Sequence, residues 1–244
     1  GVKLFDRISR KLYLTENGRR ALQYARHIID LLDEMEQGVR DVDAMGRLKV
    51  GTSITIGTYL LPGYIKKLKQ QYPALKVEAS IANSGTIEQQ ILDNDIDVGI
   101  IEGVAHSPFI LSESFAGDRL VFICPAGHEF AGKTLEELSE VRNQDFILRE
   151  KGSAGREIFD GILAAQELNV RPIWQSASNQ VILQGVKAGL GISILPYFLV
   201  RQDIREGELA EFRIKDLALN RKYSVIYHKN KFLPRSARTL MELC

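Results

Sequence analysis

Four short clusters of hydroxyl, amide and guanidinium side chains follow apolar runs in this sequence, and together they have the composition of an anion site. Ser53 and Thr55 come after the run at 48–52, and Asn83, Ser84 and Thr86 after 76–81. Arg149, Ser153 and Arg156 follow 145–148, and Ser176, Ser178 and Asn179 close the run at 172–176. Hydroxyls, amides and backbone N–H groups donate to the oxygens of a carboxylate, sulfate or phosphate, and an arginine adds charge-assisted bonds. Each residue also has a plainer role. Ser, Thr and Asn are the preferred helix N-caps whatever the function, and Arg149 or Arg156 can form surface ion pairs with Glu150 or Glu157. The recurrence of the pattern at one end of successive strands is what favours a ligand.

Other chemistries have weaker support. His27, His106, His128 and His228 are scattered without HxxH, HExxH or HxE spacing, so no metal site is expected. There is no Gly-x-Ser-x-Gly elbow and no P-loop, and Gly189-Leu190-Gly191 reads as a turn closing a helix. Cys124 sits in an apolar run and reads as inert core. No catalytic constellation and no cofactor are expected.

The clusters need elements to hold them. A strand at 48–52, a helix at about 58–72, a strand at 76–81, a helix at 86–93 and a strand at 98–101 make a βαβαβ series, hence a mainly parallel sheet covered by helices. The same series recurs as a strand at 145–148, a helix at 154–168, a strand at 172–176, a helix at 179–188 and a strand at 192–195. Apolar runs at 119–125 and 222–228 read as strands crossing between the two halves, and 234–243 as a helix returning to the first. In such α/β halves ligands meet strand C-termini and helix N-termini, where free N–H groups favour anions.

The chain of 244 residues is 45% apolar and 26% charged, enough for two compact units. No apolar run approaches the roughly 20 residues of a membrane span, no secretory leader is legible, and two cysteines suit a reducing compartment. A cytoplasmic protein without a membrane partner is expected. Charge is uneven: residues 1–26 hold seven bases against two acids, so the rest is mildly acidic beneath a net +1. A basic end suggests a phosphate-facing head. Behind it, Ala21, Ala25, Ile28, Leu32, Met35, Val39 and Val42 alternate spacings of four and three, a heptad seam for a partner helix. An amphipathic helix lying on its own body is the alternative.

The segment Leu4-Phe5-Asp6-Arg7-Ile8-Ser9-Arg10-Lys11-Leu12-Tyr13-Leu14-Thr15-Glu16-Asn17-Gly18 places two short strands around a basic turn. It resembles the wing and linker-helix start of LysR-type bacterial transcriptional regulators, with a signature LF-x-R-x-x-R-x-x-x-LT-x-x-G matched at Leu4, Phe5, Arg7, Arg10, Leu14, Thr15 and Gly18. Further on, the stretch from Gly51 to Pro62 is similar to the branch regulating sulfur assimilation and carbon fixation. The stretch from Leu148 to Arg156 resembles that branch's REx-GSGTR, departing at Ala154 and Gly155, where Gly and Thr are usual.

The resemblance implies two Rossmann-like subdomains of the periplasmic-binding-protein type 2 class, preceded by a long linker helix and the remnant of a winged helix-turn-helix. It places the wing at 1–17, a dimerising linker at 18–45 and an effector-binding domain at 46–244. Within that domain subdomain I takes 46–118 and 229–244, subdomain II 126–221, and hinge strands 119–125 and 222–228. Because the chain begins inside the wing signature, a base-reading helix is expected to be missing through truncation. Arg7, Arg10 and Lys11 would face DNA, while Ala25, Ile28, Leu32, Met35 and Val39 would join subunits into a homodimer or homotetramer. A small anionic effector, such as a sulfur oxyanion, a carboxylate or a phosphorylated metabolite, would bind Ser53, Thr55, Asn83, Ser84, Thr86, Arg149, Ser153, Arg156, Ser178 and Asn179. It would thereby alter promoter binding. A transport solute-binding protein is the rival, since it would share the body but needs neither wing nor heptads.

Overall fold

The computed structural model describes residues 1–8, 11–40 and 46–244, with 8, 33, 34 and 36–40 by backbone alone. Arg10 of the basic turn and Val42 of the seam lie outside the described residues, as does the side chain of Val39. A hairpin of β1 (Phe5–Ile8) and β2 (Lys11–Leu14) leads into the 25-residue helix α1 (Glu16–Arg40). Their junction explains the wing signature physically. Thr15 Oγ1 accepts from Gly18 N at 2.9 Å and donates to Lys3 O at 2.7 Å, while Thr15 N donates to Leu4 O at 3.1 Å. A β-carbon on Gly18 would fall 1.9 Å from Leu4 O, so the hairpin lies against the helix only because that residue has no side chain.

The body opens with β3 (Arg47–Ser53), α2 (Ile54–Tyr59), α3 (Leu61–Gln71), β4 (Lys76–Ala82), α4 (Ser84–Leu92) and β5 (Val98–Glu102). Then come β6 (Ile110–Pro125), β7 (Thr134–Leu135), β8 (Phe146–Arg149), α5 (Ala154–Ala165), β9 (Pro172–Ser176), α6 (Asn179–Lys187) and β10 (Ser193–Pro196). The chain closes with α7 (Tyr197–Arg205), β11 (Leu209–Ile214), β12 (Asn220–His228) and α8 (Arg235–Leu243). Strands order as β4-β3-β5-β12-β6-β11-β7 with β10 also on β6, while β8 pairs in parallel with β9. The first lobe is β3, β4, β5 and β12 with the leading half of β6; the second is its trailing half with β7 to β11.

Two apolar clusters fill each lobe. Leu48, Leu68, Ile100 and Leu240 lie on one face of the first sheet, and Ile87, Ile91, Ile101 and Ile226 on the other. Phe122, Phe146, Phe159 and Phe212 anchor one side of the second lobe, Ile123, Ile147, Ile182 and Val200 the other. Burial of both faces is why the inner strands β5, β8 and β10 read as near-continuous apolar runs.

Three expectations change. The helix read at 58–72 is two helices broken at Leu60, with Pro62 in the first turn of α3, where its missing N–H costs no bond. The crossing read at 119–125 is the end of a 16-residue strand, for β6 pairs with β12 from Ile110 to Arg119 and with β10 and β11 beyond. The return crossing is not at 222–228, because β12 has ladder partners on β5 and β6 within the first lobe; the chain passes back at 215–219.

Candidate functional site

Four strands that end at the junction of the lobes, β3, β4, β8 and β9, lead into helix starts with polar residues. Ser53 stands at the N-cap position of α2 but makes no capping bond; it is buried, and Oγ has no hydrogen-bond partner among the described residues. Asn83 does cap α4, accepting from Thr86 N at 2.9 Å, whereas the hydroxyl of Ser84 beside it is buried and unpartnered. From the second lobe, Arg149 ends β8, Ser153 caps α5 by accepting from Arg156 N at 3.4 Å, and Asn179 begins α6. These six line one cleft between the lobes, together with Ile54, Glu102, Leu120, Ala154, Gly155, Ile194, Leu195, Pro196 and Arg221. The N-terminal turns of α4, α5 and α6 therefore open on it, and their positive dipole ends favour an anion.

Capping and ligand contact thus separate residue by residue. Asn83 and Ser153 cap their helices and also line the cleft, whereas Ser178 caps α6 through Val181 N at 3.4 Å without reaching it. Thr86 and Thr55 are also outside the lining, the latter buried on α2. Arg156 is drawn away altogether: it bonds Asp160 at 2.8 Å, Arg149 O at 3.0 Å and Gln175 at 3.0 Å. Its partner is Asp160 one turn on, not Glu157. Arg149 does reach the cleft, held by Glu150 at 2.9 and 3.1 Å and by Asn179 Oδ1 at 2.8 Å.

Sequence reasoning missed the floor of the cleft. Arg221, almost wholly buried, grips Asp118 through two bonds of 2.6 and 2.8 Å, and Tyr223 donates to the same carboxylate at 2.8 Å. Glu102 Oε1 stands 3.5 Å from Arg221 Nη1. Burial works against the Arg221 charge, but Asp118 and Glu102 more than offset it, so its pKa is raised. Nothing in the strand Val98–Glu102 marks its last residue as a cleft group; only the fold brings it beside Arg221.

The lobes touch around the cleft. Gly85 N donates to Gly152 O at 3.0 Å, and the rings of Tyr59 and Phe198 meet edge to face at 5.1 Å. His106 bridges the lobes, with Nδ1 at 3.1 Å from Glu88 on α4 and Nε2 at 2.6 Å from Glu157 on α5. The hydrogen bond His106 donates to Glu88 is the largest cause of its raised pKa, with partial burial opposing and the charges of both carboxylates adding. About 330 Å³ of atom-free space, continuous with solvent, lies between the lobes.

Elsewhere, burial pushes the Cys124 thiol up to about 11, consistent with inert core. Among the described residues Asp203, Glu206 and Glu208 converge closely, but Lys187 already supplies the cation, pairing with Asp203 and Glu208. Arg7 lies on β1 opposite Leu12, and Lys11 opens β2 opposite Ile8. On α1, Ala25 is exposed, and Ile28, Leu32 and Met35 are more than half exposed, as an unpartnered seam requires. No described helix is long and apolar enough to cross a membrane.

The profile of the LysR substrate binding domain matches residues 43–244. The HTH-type transcriptional regulator YeiE of Escherichia coli (strain K12) is 34% identical over 246 residues, covering 100% of this chain and 82% of that protein. The regulator CysL of Bacillus subtilis (strain 168) is 28% identical over 226 residues, covering 92% and 76%. Among solved structures, the Synechocystis PCC6803 CcmR regulatory domain in complex with 2-PG superposes with a TM-score of 0.72 at 26% identity, covering 82% of this chain and 97% of that one.

Proposed function

This chain belongs to the LysR family of transcriptional regulators and carries its substrate-binding domain, and from that premise we propose that a small anion bound between the lobes controls how the protein pairs and grips promoter DNA. A regulator, not a transport receptor, is what both the family profile and the curated relatives describe. The observation that carries the cleft assignment is the pair of buried hydroxyls, Ser53 and Ser84, which leave their hydrogen-bonding capacity unused at the start of two helices. A buried unpaired hydroxyl costs about 1–3 kcal/mol, and a ligand oxygen removes that cost. The complex of CcmR with 2-PG supports a small molecule in this class of cleft.

In this reading Ser53, Asn83, Ser84, Arg149, Ser153 and Asn179 hold the effector, and Thr55, Thr86, Arg156 and Ser178 support the turns behind them. Arg7, Arg10 and Lys11 approach DNA backbone, and Ala25, Ile28, Leu32, Met35 and Val39 join subunits. The protein works in the cytoplasm and performs no catalysis. An effector shifts the lobes only by binding one arrangement better than another. Replacing Ser53 or Ser84 by alanine should weaken anion binding by about 1 kcal/mol, roughly fivefold, in calorimetric titration. Unchanged affinity in both variants would remove the assignment. Scattering and sedimentation that stay the same under a saturating anion would remove the mechanism.

A further inference from the structure

The cleft floor carries a group that an anion site has no evident use for. Glu102 is 4% exposed, lines the cleft together with Ser53, Ser84 and Arg149, and its Oε1 accepts no hydrogen bond from any described residue. The nearest cation pairs with it by charge but without a hydrogen bond. Arg221 Nη1 is 3.5 Å away, while Nε and Nη2 of the same guanidinium are committed to Asp118 at 2.6 and 2.8 Å. Arg149 is likewise committed, to Glu150 through two bonds and to Asn179 through a third. Two guanidiniums therefore face three carboxylates in and just behind the lining, so the site is not the plain cationic funnel that a fully deprotonated polyanion would favour. Two hydroxyls can donate to ligand oxygens, yet one buried carboxylate oxygen can only accept.

We propose that Glu102 is a specificity-determining residue of the cleft, whose Oε1 selects an anion bearing its own hydrogen-bond donor, a hydroxyl or a retained acidic proton, over an anion with acceptors only. The inference rests on the cleft being the effector site. Its chemistry is asymmetric. A ligand with a donor satisfies Ser53, Ser84 and Glu102 together, whereas a ligand with acceptors alone sets oxygen against a buried carboxylate oxygen, where repulsion is less screened than at the surface. A site built to bond a ligand hydroxyl rejects the analogue lacking it far more strongly than an apolar pocket rejects a missing methylene. The effector class is thus narrowed to hydroxy-carboxylates, hydrogen-bearing oxyanions and similarly equipped phosphorylated metabolites.

Matched pairs test this in calorimetric titration and thermal shift at about neutral pH. Inorganic phosphate keeps a P–O–H where sulfate has none, and glycolate carries the hydroxyl that acetate lacks. In the parent protein the donor-bearing member of a pair should bind about tenfold tighter or more. Glu102→Gln, whose amide donates to acceptor-only ligands, should bring each pair close to parity, and Glu102→Asp should keep the preference at lower affinity. Ser84→Ala should weaken both members alike. Circular dichroism and thermal midpoints verify that each variant is folded, and the aspartate variant keeps the test open if the glutamine variant is not. A preference that persists unchanged in Glu102→Gln, or parity in the parent, while Ser84→Ala weakens both members, overturns the role of Glu102 and leaves the cleft standing. No stabilisation by any of the four anions, with Ser84→Ala indistinguishable from the parent, overturns the cleft and Glu102 together.

Discussion

Replacing His106 by alanine should loosen the contact between the lobes by about 0.5–1 kcal/mol, and only while the imidazole is protonated. The size follows from what remains afterwards. Glu88 keeps two backbone bonds, from the N–H of residue 106 at 2.8 Å and of Ser107 at 2.7 Å, so removing the ring leaves no orphaned carboxylate. What is lost is the bridge to Glu157 at 2.6 Å and the ring contact with Glu88 at 3.1 Å. The imidazole is 56% exposed and Glu157 49%, so water screens the pair and the value belongs with surface ion pairs, about two- to fivefold in the opening equilibrium. His106 titrates above its ordinary 6.5, first because of the Glu88 bond, and the folded state therefore holds this proton more tightly. The contribution is complete below about pH 6.5 and is lost as pH rises through the elevated value. A double-mutant cycle of His106→Ala and Glu157→Gln, read by denaturant unfolding at about pH 5.5 and about pH 8.5, should show coupling at the lower pH that fades at the higher. Equal coupling at both pH values, or none at the lower, would refute the reasoning.

Gly152→Ala should destabilise the protein by about 1 kcal/mol or more, read as a lower thermal midpoint, because its φ of +87° disfavours a side chain and the new carbon would stand 3.2 Å from Asn83 Oδ1 across the lobe junction. Neither thiol should react quickly with an aromatic disulfide reagent in the native protein, since burial pushes Cys124 up to about 11 and Cys244 up to about 12; both should react in denaturant. Leu32→Asp should shift sedimentation toward the monomer without changing the body's circular dichroism, because that side chain is 52% exposed on α1 and touches no core cluster.

The inner strands were legible because they are buried on two faces, as β5 and β8 are; 172–176 matches β9 residue for residue although that edge strand is largely exposed, its β-branched and aromatic residues between turn signals sufficing. The start of α2 was not, since Ile54-Thr55-Ile56 is a β-branched run with poor helix propensity and only tertiary packing sets it in a helix. The leading half of β6 was hidden for another reason. Residues 110–117 mix Ile110, Leu111, Phe115 and Ala116 with Ser112, Glu113, Ser114 and Gly117 and are mostly exposed, and what makes them a strand is the ladder with β12, more than a hundred residues away in the chain. In the site, local chemistry exposed every helix-start residue but could not tell a cap from a free hydroxyl; Ser178 and Ser53 look alike until their partners are known. Arg156 is attractive as a cation and is spent internally, whereas Glu102, one residue past the strand read at 98–101, carries no local sign of a place in the cleft.

The long strand β6 has a mechanical consequence. Asp118 is tied to Arg221 and Tyr223 of the first lobe, and Arg119, the next residue, is tied to Glu211 at 3.0 Å and lies 3.9 Å over the ring of Tyr197 in the second. Successive side chains leave a strand on opposite faces, and here the partners on the two faces belong to different lobes. The torque of any opening motion then concentrates on the few backbone torsions between two anchored residues, instead of spreading along a pliable loop. One of those anchors, Asp118, shares its guanidinium with Glu102 on the cleft floor. A force applied by a ligand there acts next to the fulcrum, where a small displacement produces a large angular swing of the distant ends.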